Sequence, residues 1–191
     1  MALTPLSQAL PQILATIQSS PGTETVTLVG AAGRYAAAAV RSSVAVPPAD
    51  NSAMDGYAVR AQDVPGELMV LQRIPAGHVP ASLAPGTAAR IFTGAEIPAG
   101  ADAVVLQEDA EPLSEGVCLP AAREGQHIRR RGSDIQAGDQ IIATGRCLQP
   151  QDIGLLASVG IDEIEVYRPL RVAMLTTGDE LREPGSSGLE P

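Results

Sequence analysis

Residues 88–107, AARIFTGAEIPAGADAVVLQ, hold two short β-favouring runs, Ala88 to Phe92 and Ala103 to Gln107, on either side of a turn at Ile97-Pro98-Ala99-Gly100. Such runs of about five residues bounded by Pro and Gly read as strands. The same texture extends outward. Gly56 to Arg60 and Leu68 to Ile74 are further runs of this kind, and Val64-Pro65-Gly66 and Ala84-Pro85-Gly86 supply the punctuation. Regular punctuation of this sort predicts a small barrel or coiled sheet between Ala49 and about Gly138.

The flanks read differently. Leu6, Leu10, Ile13, Leu14 and Ile17 lie at helical spacing within residues 6–18, with Pro11 expected to interrupt or bend the helix and Pro21-Gly22 to end it. Leu28 to Arg34 reads as a short second helix closed near Gly33. Tyr35 to Val46 reads as extended before the stiff Pro47-Pro48 pair. Beyond Gly138 a strand at Ile141 to Ala143 precedes a helix that Pro150 opens in its first turn and Gly160 closes after Val159. Strands follow at Glu163 to Val166 and at Arg171 to Leu175, the second (RVAML) continuously apolar like a buried parallel strand. A parallel strand calls for a crossover helix and further strands, so a third, α/β domain is expected to be represented here by its first strand alone.

Composition narrows the function. The 191 residues carry 22 acidic and 13 basic side chains, all of the latter Arg, for a net charge of −9. A broad cationic footprint for nucleic acid is excluded by that balance. No apolar stretch approaches the roughly 18 to 20 residues a bilayer crossing needs, and the first basic residue is Arg34, so neither a membrane span nor a secretory leader is read and the cytoplasm is expected. Cys118 and Cys147 match no zinc ligand set and read as reduced thiols. Thirty Ala, one Phe, three Tyr and no Trp predict several thin cores.

Four segments can carry chemistry. Asp50-Asn51-Ser52-Ala53-Met54-Asp55-Gly56 gathers two carboxylates, an amide and a hydroxyl, either as Asx turns or as ligands. A calcium loop counted from Asp50 fails, because Asp55 falls where Gly is required and Ala61 where Glu is. Thr93-Gly94 ends a strand with a hydroxyl and backbone N–H groups that serve an ST-turn or an anion. Arg129-Arg130-Arg131 lies in an acidic chain, as a solvated face or as a set of forks for phosphate. Thr177-Gly178-Asp179-Glu180 follows the apolar RVAML run, at the carboxyl edge where α/β sheets bind ligands. Walker, dinucleotide and H-E-x-x-H signatures are absent, and His78 and His127 have no nucleophile signature around them.

Taken in order, these segments resemble the MoeA family of molybdopterin molybdenumtransferases, which includes the E domain of gephyrin. The resemblance rests on Asp50 to Ala58 (DNSAMDGYA), Arg90 to Ala95 (RIFTGA) with Pro98, Gly100 to Val105 (GADAVV) with Glu108, Ile128 to Ile135 (IRRRGSDI) and Thr177 to Leu181 (TGDEL). Ala49 stands where the family commonly has Phe, and Ser133 where an acidic residue is usual.

The resemblance implies an α+β, mostly β architecture. It places an elongated, discontinuous first domain at 1–46 and 139–169, an inserted barrel-like second domain at 47–138, and the start of a truncated α/β molybdopterin-binding domain at 170–191. It further implies a homodimer whose site is shared between subunits, supplied by an upstream molybdopterin-adenylylating protein. There molybdate would be inserted into adenylylated molybdopterin, with Mg²⁺ and release of AMP. By position Asp55, Thr93 and Glu180 match catalytic residues, with Asp55 and Glu180 as Mg²⁺ ligands or proton acceptors. Arg129 and Asp134 match a charged substrate-binding loop. A fragment holding part of the site is expected to be inactive alone, and the alternative is a non-catalytic scaffolding module of the gephyrin type.

Overall fold

The computed structural model describes residues 4–17, 21–178 and 181–182. Helix α1 (Leu6–Ala15) is followed by strand β1 (Thr23–Thr27), a single helical turn α2 (Leu28–Ala31), and short strands β2 (Val40–Arg41) and β3 (Asn51–Ser52). The sheet strands are β4 (Gly56–Val59), β5 (Gly66–Ile74), β6 (Thr87–Ile91), β7 (Ala103–Leu106), β8 (Glu111–Leu113) and β9 (Gly116–Leu119). The chain closes through β10 (Ile128–Arg129), β11 (Gln140–Ile142), helix α3 (Pro150–Ser158) and β12 (Glu163–Tyr167). The protein is thus α+β and mostly strand, as the punctuation predicts.

Six strands form one sheet in the order β7-β4-β6-β5-β9-β8. The long strand β5 belongs to both halves of it. Gly66 to Leu68 pair antiparallel with β9, whereas Met69 to Ile74 pair parallel with β6 through a bulge between Val70 and Gln72. A strand shared in this way bends, and the sheet curls around it. Successive side chains on a strand point to opposite faces, and here both faces are covered. Ala58, Ala89, Ile91 and Val104 enter one buried cluster with Ile74 and Leu83, while Val59, Ala88, Ala103 and Val105 enter another with Leu68, Val117 and Leu119. Burial on both sides explains why AVVL is continuously apolar, and AARI apolar but for Arg90, where a one-sided strand would alternate.

The middle of this sheet is close-packed at Gly56. A Cβ there would stand 1.9 Å from the Val105 carbonyl oxygen and 2.9 Å from its carbon, both backbone atoms that cannot turn aside. β4 lies between β6 and β7, with Gly56 opposite Ile91 on one side and Leu106 on the other.

A separate core is built from the two ends of the chain. β1 pairs antiparallel with β12 (Thr23 opposite Tyr167) and β2 with β11. Leu28, Ala31 and Ala36 pack against Ile142, Leu148, Leu156, Ile164 and Val166. Helix α3 opens as its sequence predicts. The Asp152 carboxylate takes the Gln149 backbone N–H at 2.9 Å, completing a capping box with Pro150 in the first turn, and also accepts Arg146 Nε (3.0 Å) and Nη2 (2.8 Å). Gly160 (φ +81°) takes the left-handed position beyond the helix.

One reading is narrowed, since of the two outcomes open at Pro11 the interruption does not occur, and one is corrected. Pro11 sits inside α1, which continues through it to Ala15, and the Thr16 hydroxyl closes the end on Ile13 O at 2.7 Å. Residues 171–175 form no strand, and Val172, Met174 and Leu175 are 80–91% exposed. A parallel strand exists only against a neighbour, and among the described residues none lies beside this segment. Helix α1 likewise buries no residue, so its apolar stripe adds nothing to the core of the chain ends. Both exposed apolar segments leave from one end of the β1–β12 ribbon, at the Thr23–Tyr167 pair.

Two measurements test this packing. Gly56→Ala should lower stability by at least about 3 kcal/mol in urea unfolding, at the upper end of overpacking costs because the obstacle is backbone. Asp152→Ala should cost about 1–3 kcal/mol by stranding the Gln149 N–H and Arg146. Arg146 first, and then the Gln149 N–H, hold the Asp152 carboxyl below its ordinary range. A depressed folded pKa gives stability that is present above the unfolded value of about 3.9 and lost as the pH falls through the folded one. The gap between wild type and Asp152→Ala should therefore be constant from pH 7 to about 5 and close below about pH 4.

Candidate functional site

The segment 50–55 enters the sheet stitched on both sides. Toward the 93–97 turn, Ser52 N–H donates to Ala95 O (2.8 Å), Gly94 N–H to Ser52 O (2.8 Å) and Ile97 N–H to Asp50 O (2.8 Å). On the other side β3 pairs with β10, and Ala53 N–H donates to His127 O at 2.9 Å. Within the segment the Ser52 hydroxyl caps its own turn on Met54 O (2.6 Å), which is the Asx/ST chemistry expected of such a sequence. The turn reading is thus present in Ser52, which serves the backbone, while Asp55 faces a neighbour.

That neighbour is Thr93. Asp55 Oδ1 accepts the Thr93 backbone N–H at 2.8 Å and the Thr93 hydroxyl at 2.7 Å, bridging 38 positions of sequence. These two bonds, the backbone one first, hold the half-buried Asp55 carboxyl below its ordinary range. Gly94 (φ +81°) makes the turn that aims both donors at one oxygen. Among the described residues Oδ2 accepts no hydrogen bond. Because a carboxylate only accepts, the Thr93 O–H is the donor, and its proton is committed to Asp55.

Three further residues join the pair that sequence reasoning missed. Arg90 donates from Nη1 to Gly56 O (2.7 Å) and Ile91 O (3.1 Å), and from Nη2 to the Gln107 side-chain oxygen. Its guanidinium carbon lies 4.5 Å from the Phe92 ring centre and 5.3 Å from that of Tyr57. Gln107 passes a hydrogen bond to Glu108 at 3.0 Å, the first cause of that carboxyl lying below its ordinary range. Arg90 lowers Glu108 further, while Asp55 raises it, which places the two carboxylates in one field. A charge in the middle of an apolar β run is a signal that could have found Arg90, since it must be satisfied where it is buried.

The Arg loop is placed differently. Arg129 pairs with Asp134, and Arg130 with Asp50 at 2.6 Å, whose other oxygen takes the Arg131 N–H at 2.8 Å. Among the described residues no hydrogen bond or ion pair links Arg129 or Asp134 to Asp55 or Thr93, and the substrate-binding pair of the sequence reading is here an internal ion pair. Glu180 lies outside the described residues. Cys118 and Cys147 are free thiols.

Among the described residues no group of three or more His, Cys, Asp or Glu is gathered for a metal, and no helix is long and apolar enough to cross a membrane. Mg²⁺ asks for less, holding to one or two carboxylates while water and phosphate complete its shell. Asp55, ionised, anchored through one oxygen and open at the other, fits that demand.

A family model for the MoeA N-terminal region (domain I and II) matches residues 4–160. The chain is 42% identical over 174 residues to a molybdopterin molybdenumtransferase of Nostoc, covering 86% of this chain and 40% of that one. It is also 42% identical over 187 residues to one of Haemophilus influenzae, covering 94% and 46%. It superposes on a molybdopterin biosynthesis MoeA protein of Pyrococcus horikoshii OT3 with a TM-score of 0.88 at 34% identity, over 97% of this chain and 52% of that one. The chain spans about half the length of the relatives it matches. A family model that takes in most of the sequence, including Asp55, Thr93 and the curled sheet between them, shows that the chain belongs to the MoeA family through its N-terminal region.

Proposed function

We propose that this region supplies one part of a site at which molybdate is inserted into adenylylated molybdopterin with release of AMP, in the biosynthesis of molybdenum cofactor. The reading is carried by the Asp55–Thr93 pair, a carboxylate fixed through one oxygen and open at the other, and it is supported by relatives named molybdopterin molybdenumtransferase. A carboxyl held below its ordinary range is ionised at neutral pH and is a poor general base. Of the two roles open to Asp55 in sequence, metal ligand and proton acceptor, the first therefore suits it better.

In this scheme Asp55 and Glu180 would hold Mg²⁺, which when bound would offset charge on the phosphoryl oxygens. Water adds its oxygen to the phosphorus on the molybdopterin side and gives up a proton to solvent, the anhydride P–O bond breaks, and AMP leaves with the bonding electrons. Thr93 fixes the direction of Asp55. Arg129 and Asp134 then border the site as a neutral pair, with Arg129 bound to Asp134 through Nη2 and its remaining N–H groups left for an anion. A homodimer sharing the site between subunits, an upstream adenylylating protein as source of substrate, and a cytoplasmic setting complete the proposal.

The test is AMP release from adenylylated molybdopterin with molybdate and Mg²⁺, in a full-length enzyme that carries this region. Asp55→Asn should lower kcat at least about a hundredfold, equivalent to ~2.7 kcal/mol of barrier. Thr93→Val, which removes the hydroxyl and keeps the shape, should lower it about tenfold. Chelating the divalent ion should abolish turnover. Unchanged turnover in Asp55→Asn would overturn the role given to Asp55. The 191-residue chain on its own should release no AMP above background, and turnover there would show that the site is complete within it.

A further inference from the structure

Arg90 is half-buried on β6, opposite Tyr57 across β4 and opposite Arg73 across β5. Like charges facing each other across strands are destabilising, and among the described residues neither arginine has an ion-pair partner. Both instead lie against the Phe92 ring, Arg73 at 4.7 Å and Arg90 at 4.5 Å. A buried charge kept under such conditions is held by what it binds, and the partners of Arg90 form a pattern. Gly56 O belongs to the residue after Asp55; Ile91 O lies two residues before Thr93; Gln107 lies one before Glu108. The Asp55 carbonyl in turn accepts the Gln107 N–H at 3.1 Å. One planar guanidinium therefore ties together the start of β4, the end of β6 and the turn after β7, where the site residues emerge.

We infer that Arg90 is a positioning residue that sets the spacing of Asp55 and Thr93 so that both Thr93 donors reach Asp55 Oδ1. The Asp55–Thr93 bonds are near solvent and compete with water, so they depend on strand ends that do not shift. Lysine at position 90 keeps the charge and the aromatic contact but has one nitrogen, which cannot span Gly56 O, Ile91 O and Gln107 together. The role rests on the proposed function only for its consequence in catalysis.

The experiment has two arms. In the 191-residue chain, amide hydrogen exchange of Thr93 is compared in wild type, Arg90→Lys and Arg90→Gln, with the Asp102 N–H (to Val59 O, 3.0 Å) and Val104 N–H (to Gln126 O, 2.9 Å) as internal references. Thr93 should exchange about tenfold faster in both variants while the two references change less than about twofold. Unchanged Thr93 exchange, or equal loss at all three amides, would overturn the inference, the second because it marks a general loss of structure. In the full-length enzyme, Arg90→Lys should lower kcat for AMP release about tenfold with KM within about twofold. It should add little to the loss already made by Asp55→Asn, as residues acting through one contact do. Faster Thr93 exchange with full AMP release would support the positioning and overturn the catalytic reading of the pair instead.

Discussion

The approach of β4 to β7 at Gly56 is the constraint on which the rest of the site depends. With the Val105 carbonyl oxygen 1.9 Å from where a Cβ would be, no other residue lets the central strand enter at this depth. Everything around it takes position from that entry. Asp55 precedes it and reaches Thr93; its own carbonyl meets Gln107; the Gly56 carbonyl meets Arg90. Close backbone contact and the placement of a functional carboxylate are here one fact, since moving β4 outward to admit a side chain would pull Asp55 from the turn that holds it.

The same need for closeness explains a composition that looks poor in core-forming residues. Strands covered on both faces with Ala58, Ala88, Ala89 and Ala103 lie near their neighbours, and many thin contacts replace a few thick ones. The scarce aromatic side chains are correspondingly placed. Two of the four, Tyr57 and Phe92, flank Arg90, where a flat apolar face and a polar guanidinium plane can stack without a cavity.

How far the sequence was legible follows from the same physics. Strands buried on both faces are apolar runs, and β4, β7 and, but for Arg90, β6 lie where such runs stand, whereas β5 is exposed over Met69 to Leu71 and carries Gln72 and Arg73. β1 (TETVT) and β8 to β10 carry no such run; they are short or alternate with polar residues, and only their partners across the ribbon or sheet define them. The helix at Pro150 was legible to within a residue because its cap and its stop are local. The strand expected at 171–175 was not realised because strand formation is never local. At the site, Asp55 and Thr93 stood out as polar residues in turns, and the structure brings them together. The pairing of the charged loop was not legible, because a run of Arg says nothing of which carboxylates, here Asp50 and Asp134, lie against it.

Charge therefore has to be located, not counted. A net −9 suggests a surface that repels anions, and the obvious exception, Arg129 to Arg131, has two of its three guanidiniums paired among the described residues. The cations that carry no carboxylate partner near Asp55 are Arg90 and Arg73, on the aromatic ring next to Thr93. The field of Arg90 falls on Glu108 and on Asp55, a carboxylate that has one oxygen saturated by hydrogen bonds and one open. A negative group held this way beside a positive one keeps its charge at neutral pH without turning the whole region acidic. That combination separates two tasks which a simple acidic cluster would set against each other: offering an oxygen to a cation, and tolerating the phosphate that the proposed reaction must bring beside it.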